Sequence, residues 1–348
     1  MAYTTINKSS LHFNTNLYTG NNNNTAHTGI GFQPDFVWLK VRNASGTHYL
    51  FDSIRGANKD INSSDNSSEY TATQNLMSFD SDGYTVGTSN SVNTNNETMV
   101  GWNWKAGTTG SGTTTGSGTG KSYSYSVNTT AGFSIVKYIG NGTAGHTIPH
   151  HLGATPGLIM LKNLDHTEDW LVYHHKNTDA PETDYLVLNA TNATGDSAGV
   201  WNDTAPTSSV FTVGTAASTN GSDDNLIAYC FAEKSGYSKF GEYTGNAAND
   251  GAFIYTGFKP AFVMVKPTAS ADNWVMFDNK RLGYNPDNNF SYANKSFAEN
   301  DADIIDLLSN GFKMTNSGNT SNRAENFIYM AFAEAPLVGS NNIPCTAR

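Results

Sequence analysis

A ten-residue phrase occurs three times in this chain and restricts what it can fold into. It reads Gly31-Phe-Gln-Pro-Asp-Phe-Val-Trp-Leu-Lys40, then Gly153-Ala-Thr-Pro-Gly-Leu-Ile-Met-Leu-Lys162, then Gly257-Phe-Lys-Pro-Ala-Phe-Val-Met-Val-Lys266. Each copy is a turn built on Gly and Pro that runs into an apolar strand and closes on Lys. Pro34, Pro156 and Pro260 are spaced by 122 and 104 residues. Solenoid repeats have periods of roughly 20–50 residues, whereas a step of about 100 residues is one small domain. The spacing implies one domain written three times.

Four other segments recur around the phrase. Leu17-Tyr-Thr-Gly-Asn21, Lys137-Tyr-Ile-Gly-Asn141 and Glu242-Tyr-Thr-Gly-Asn246 precede it and read as short strands ending in a turn. His48-Tyr-Leu-Phe-Asp52, Trp170-Leu-Val-Tyr-His174 and Trp274-Val-Met-Phe-Asp278 follow it and close a hairpin. A fourth segment is Ser78–Val86, matched by Leu308–Met314, with only Val210-Phe-Thr-Val213 left in the second copy. The fifth is Met99-Val-Gly-Trp-Asn-Trp104, Leu226-Ile-Ala-Tyr-Cys-Phe231 and Phe327-Ile-Tyr-Met-Ala-Phe332. Its continuous apolar character predicts burial on both faces or a central place in a sandwich.

The predicted fold is therefore all-β, with three tandem antiparallel β-sandwich, jelly-roll-like domains at residues 1–106, 122–235 and 236–336. Residues 107–121, rich in Gly, Ser and Thr, read as a flexible linker, and 337–348 as an extended tail. On this reading the first domain is tethered while the second and third pack together. One window, Asp301–Leu308, reads as a turn or two of helix.

Charged residues are only 14% of the chain, against about 25% in ordinary soluble proteins. Asn, Thr, Ser and Gly take their place, which favours turns over long helices. With a formal charge of −10 and no Lys/Arg run, a nucleic-acid partner is not expected. No apolar run is long enough to span a membrane, so no membrane insertion is expected. Cys230 lies in an apolar strand and Cys345 in the tail, which indicates no disulfide framework. The composition looks extracellular, yet the N-terminus carries no apolar signal core; a particle assembled in the cytoplasm and freed by lysis, non-classical export and a cytoplasmic protein are the alternatives.

Five constellations bear on chemistry. Asp80-Ser-Asp-Gly83 faintly resembles a calcium loop but lacks the further oxygen ligands at fixed offsets. The pairs His150-His151 and His174-His175, with His146 and His166 nearby, contain zinc-ligand types, but adjacent residues on a strand face opposite ways. Asp52 with Arg55 and Asp278 with Arg281 recur, and copy 2 has His174 and Asn177 there, so acid and base are lost together. That is the behaviour of a structural ion pair, because a buried charge left alone costs several kcal/mol. Paired carboxylates for a glycosidase are not repeated, and Glu233 and Glu334 stand without a counterpart in copy 1. Exposed aromatics can stack on sugar rings, although most sit inside predicted strands. No enzymatic activity, cofactor or metal is expected. The residues that define the repeat are Gly31, Pro34, Lys40, Gly153, Pro156, Lys162, Gly257, Pro260 and Lys266, all explained by folding.

The run Asn14–Asn21, Gly31–Arg42, His48-Tyr-Leu-Phe-Asp-Ser-Ile-Arg-Gly56, Ser78–Tyr84 and Val100-Gly-Trp-Asn-Trp-Lys-Ala-Gly107 resembles an uncharacterised repeat-domain family of marine tailed-phage virion structural proteins. Copies 2 and 3 are diverged from that pattern. The resemblance implies a phage structural protein at the virion surface, of the tail-fibre or capsid-decoration type, and supplies no catalytic residues. The expectation is a capsid decoration protein, a cement or head-fibre protein, contacting other virion proteins as a homo-oligomer, a trimer being favoured. The alternative is a receptor-binding tail fibre with lectin-like recognition of a host surface glycan.

Overall fold

The structure, a computed structural model, describes residues 4–282 and 285–336. Cys345 and the predicted tail lie outside the described residues. The first repeat comprises β1 (Phe13–Thr19), β2 (Thr25–His27), β3 (Phe36–Val41), β4 (His48–Asp52), β5 (Lys59–Asn62), β6 (Tyr70–Thr71), β7 (Leu76–Asp80), β8 (Gly83–Val86) and β9 (Thr98–Trp104). Two strands follow, β10 (Thr108–Thr113) and β11 (Thr115–Gly116). The second repeat comprises β12 (Ser122–Asn128), β13 (Phe133–Ile139), β14 (His146–Pro149), β15 (Leu158–Asn163), β16 (Leu171–His174), β17 (Asp184–Val187), β18 (Gly195–Asp196), β19 (Val210–Val213) and β20 (Asn225–Phe231). The third comprises β21 (Ser238–Thr244), β22 (Phe253–Tyr255), β23 (Phe258–Pro267), β24 (Val275–Asp278), β25 (Phe290–Tyr292), β26 (Ile305–Leu308), β27 (Gly311–Met314) and β28 (Asn326–Pro336). The α-helices are single turns: α1 (Asn90–Asn93), α2 (Ala198–Trp201), α3 (Ala217–Asn220) and α4 (Asn319–Asn322).

The protein is all-β and antiparallel, and one strand order recurs. The large sheets run β1-β9-β3-β4-β5-β6, β10-β12-β13-β20-β15-β16-β17-β18 and β21-β28-β23-β24-β25. Each faces a small sheet: β2-β8-β7, β11-β14-β19 and β22-β27-β26. The alternation of the repeated strand explains both burials. Val37 and Leu39 pack outward against the first small sheet, while Phe36 and Trp38 enter a second core. Ile159 and Leu161 divide from Leu158 and Met160 in the same way, and Val263 and Val265 from Phe262 and Met264. That second core is common to all three copies. At its centre Trp104 and Phe231, which end β9 and β20, each meet Phe332 edge-on, at 5.7 and 5.8 Å.

The structure corrects three sequence expectations. The first copy is not tethered: Phe13, Phe36, Trp38, Trp102 and Trp104 are part of the shared core. Nor is 107–121 a free linker, because Thr108–Thr113 pairs along β12 over its whole length. Composition misled because Gly110 and Gly112 have a partner to cover. The rings of Tyr125 and Tyr123 lie across them, so a Cβ at either glycine would meet ring atoms at 2.6–3.0 Å. The run also supplies β11, which pairs with β14 in a copy that has lost its counterpart of β7. The predicted helix over 301–308 is also overturned. Ile305–Leu308 forms a hairpin with Gly311–Met314, because Ile305 and Leu307 alternate inward.

The Tyr-x-Gly-Asn segments are explained by the single helical turns. Tyr18, Tyr138 and Tyr243 donate their hydroxyls to the carbonyls of Val92, Thr219 and Ser321, at 2.6, 2.6 and 2.5 Å. The residue after each carbonyl is a buried asparagine. Asn93 accepts from the Asn21 amide and donates to the carbonyls of Asn23 and Gly87. Asn220 does the same with Asn141, Thr143 and Gly214, and Asn322 with Asn246, Ala248 and Asn316. Gly20, Gly140 and Gly245 permit the approach, since a Cβ there would lie 2.1–2.2 Å from a main-chain oxygen.

Candidate functional site

The predicted Asp–Arg pairs lie where the copies meet. Asp52 accepts from Arg55 Nε at 2.5 Å and Asp278 from Arg281 Nε at 2.6 Å, with all four side chains fully buried. Each Arg also reaches a second acid in its own copy, Glu69 at 3.5 Å and Glu299 at 3.3 Å. Each Asp then receives a donor from another copy. Tyr229 Oη donates to Asp52 at 2.7 Å, and Trp102 Nε1 to Asp278 at 3.0 Å. The Trp102 ring also packs on the Arg281 guanidinium, 5.3 Å away.

Copy 2 replaces the whole network. His174 and Asn177 stand for Asp and Arg, and Thr194 stands for Glu and donates to Asn177 at 2.8 Å. Met330 stands where the cross-copy donor would be. His174 Nδ1 accepts from the Lys176 amide, so Nε2 carries the proton and donates to the Tyr329 carbonyl at 3.1 Å. Burial, reinforced by neighbouring His175, pushes the His174 pKa down to about 3, so the ring is neutral.

Two more bonds recur at each seam. The ring that opens the hairpin strand donates to the last carbonyl of β5, β17 or β25 in another copy. Trp170 reaches Asn62 at 2.7 Å, Trp274 reaches Val187 at 2.8 Å, and His48 meets Tyr292 at 3.0 Å. His48 Nδ1 accepts from Trp38, which leaves Nε2 as the donor. The carbonyls of Arg42, Leu164 and Thr268 accept from the amides of Glu299, Glu69 and Thr194 at 2.7–2.9 Å. Copy 1 thus leans on copy 3, copy 2 on copy 1, and copy 3 on copy 2. The seams close a ring, and in the seam between copies 1 and 3 Arg42 adds a two-bond clamp on Glu299.

The repeat-defining residues serve this frame. Gly31, Gly153 and Gly257 hold φ of +93°, +67° and +84°, which an L side chain resists. Pro34 and Pro156 are buried just before the repeated strand, and Pro260 is buried within it, at a bulge in the pairing of β23 with β28. Lys40, Lys162 and Lys266 are fully buried and donate to the carbonyls of Val41, Asn163 and Pro267 at 2.6–2.8 Å. Burial lowers the pKa of each to about 8.

The other candidates are dispersed. His146 meets Asn220 and Thr114, His150 the Thr207 carbonyl, and His175 the Phe240 carbonyl, while His166 pairs with Asp224. His151 stacks on Tyr125 at 3.7 Å. Among the described residues no three His, Cys, Asp or Glu side chains cluster as a metal site requires. Asp82 accepts from the amides of Gly29 and Gly31, and Asp80 from Ser78 and Thr85. Glu233 accepts from the Phe240 amide and Glu334 pairs with Lys259. Cys230 is buried and free.

One open groove of about 400 Å³ lies between copies 2 and 3. Phe253 and Tyr255 stand on one of its walls, about half exposed, with Lys239 and Glu242 beside them. Lys176, across the groove, lies 3.6 Å from Glu242. Sequence reasoning named none of these as a site. Their signal is an absence of repetition, visible only once the strand register is known.

These features define an all-β protein whose three sequence copies share one core through matched seams. The chain belongs to the family of the domain of unknown function DUF7483, whose model matches residues 8–336 and so spans all three copies as one unit. No curated protein and no solved structure matches it.

Proposed function

We propose that this is a structural protein of a phage particle, displayed at the virion surface as a capsid decoration protein of the cement or head-fibre type. The observation that carries the reading is the closed ring of seams. A body in which three similar units repeat the same contacts presents three similar faces, which suits a position where three equivalent shell subunits meet. The threefold arrangement expected of a homotrimer is then formed within a single chain, and one chain occupies each such position. The three units are tandem sandwich domains of jelly-roll-like order, at 1–106, 122–235 and 236–336, the middle one extended by 108–116. The partners are other virion proteins, assembly takes place in the host cytoplasm, and the role requires no catalysis.

Support comes from the resemblance carried by the first copy, and from side chains whose polar groups are spent on the frame. Electron microscopy of purified particles tests the reading. The expected result is density for one chain over each local threefold position of the shell. Density restricted to the tail would transfer the chain to the receptor-binding reading, a fibre with lectin-like glycan recognition. The observation that favours that second reading is the groove beside Tyr255.

A further inference from the structure

We infer that the groove walled by Phe253 and Tyr255 binds a neutral oligosaccharide. Among the described residues seven large hydrophobic side chains are exposed, and these two are the ones that share a strand face, at 47% and 52% exposure. Alternate residues of a strand are about 7 Å apart on one side, which sets the two rings in a row. Ile254, between them, points into the core of the third copy.

The fold does not ask for these rings. Ile254 pairs with Phe312 as His27 pairs with Tyr84 and Ile148 with Phe211. By that register Phe253 stands where the other copies have Ala26 and Thr147, and Tyr255 where they have Thr28 and Pro149. The same sheet is built twice without an aromatic at either position. Two large rings half turned to solvent on one strand face form a patch rather than a scattered exposure, and such a patch marks a surface that meets something.

The surroundings select the ligand class. Lys239 donates to the Tyr255 carbonyl at 2.9 Å and holds its ammonium 5.5 Å from the ring centre. Glu242 and Lys176 are about half exposed and loosely paired, and Glu233 accepts a main-chain amide. Two acids and two bases balance, so the groove favours an uncharged ligand. Protein interface cores are depleted in charge, whereas a sugar offers an apolar ring face to an aromatic and hydroxyls to carboxylates and ammonium groups. Tyr329 and Gly241 complete the groove, and a Cβ at Gly241 would meet the Tyr329 hydroxyl at 2.5 Å.

Titration of the full chain with cellohexaose, laminarihexaose and maltohexaose, followed by calorimetry, tests this. At least one is expected to bind, and Tyr255→Ala or Phe253→Ala to weaken it roughly tenfold or more. Glu242→Gln should weaken it further, while Tyr70→Ala, a solvent-facing ring in the first copy, should leave it unchanged. Failure of all three sugars to bind, or binding untouched by the aromatic variants, overturns the inference. Tighter binding of an oligogalacturonate would reject the neutral ligand. A self-association lost in Tyr255→Ala without any sugar binding would assign the groove to protein contact. None of these results depends on where the protein sits on a particle, so the groove and the capsid reading fail separately.

Discussion

Tyr229 donates its hydroxyl to Asp52 across the seam between copies 2 and 1, at 2.7 Å. The equivalent pair between copies 3 and 2 would join Met330 to residue 174, where His174 replaces the acid and donates instead to the Tyr329 carbonyl. Acid, base, second acid and donor changed together, because each stabilises the charge of another. His174→Asp alone therefore buries a carboxylate without Arg or donor and is expected to destabilise by about 3–5 kcal/mol. Adding Asn177→Arg, Thr194→Glu and Met330→Tyr should recover most of that loss in urea denaturation. A neutral single variant would refute the coupling.

Asn93, Asn220 and Asn322 each satisfy one amide and at least two carbonyls inside their copy. Replacing any of them with Ala leaves buried backbone groups without partners, at about 1–3 kcal/mol apiece. Each variant is expected to lose roughly 3 kcal/mol or more. Asn24→Ala, on the surface, should stay within about 0.5 kcal/mol. Thermal midpoints of the four variants check the comparison.

Because the central core draws on all three copies, the copies should unfold together. Calorimetry of the whole chain is expected to show one transition, with van't Hoff and calorimetric enthalpies in agreement. A fragment of residues 122–336 would expose the face of Phe133, Tyr229 and Phe332 that Phe13, Phe36 and Trp104 cover. It is expected to bind a hydrophobic dye or aggregate. A soluble, cooperatively folded fragment would show that the seams are dispensable.

The strands were legible because each repeated segment alternates strongly enough to declare its period. The continuous apolar run of the fifth segment, such as Met99–Trp104, also announced a second buried face. What no single strand could declare was the owner of that face, since Trp102 looks the same whether it packs within its copy or against Arg281 of another. The glycines of Thr108–Thr113 were misread because their partners, Tyr123 and Tyr125, lie across a turn rather than beside them in sequence. The Asp–Arg pairs could be read from the joint loss at His174 and Asn177. Glu69, Thr194 and Glu299, in irregular segments with no repeated pattern, could not. Phe253 and Tyr255 were hidden for the opposite reason, since alternation alone marks them as ordinary strand residues.

Lys40, Lys162 and Lys266 give the fold a pH dependence of definite sign. Their pKa values are lowered from 10.5 to about 8 by burial. Between those limits the unfolded chain binds more protons than the folded one, so stability rises with pH through the window. Below pH 8 the ammonium groups are charged in both states and the full cost of burying them is present. Each is worth up to about 3 kcal/mol by that shift. The buried phenols act in the other direction, because Tyr84 and Tyr329 are raised above their ordinary 10.0 by burial. Above about pH 10 the unfolded chain loses those protons first and stability falls. Urea midpoints should therefore climb from pH 8 towards 10 and then turn down. Lys40→Met, Lys162→Met and Lys266→Met together should raise stability at neutral pH and flatten the climb, leaving the downturn in place. A climb of equal slope in the triple variant would show that these lysines are not its cause.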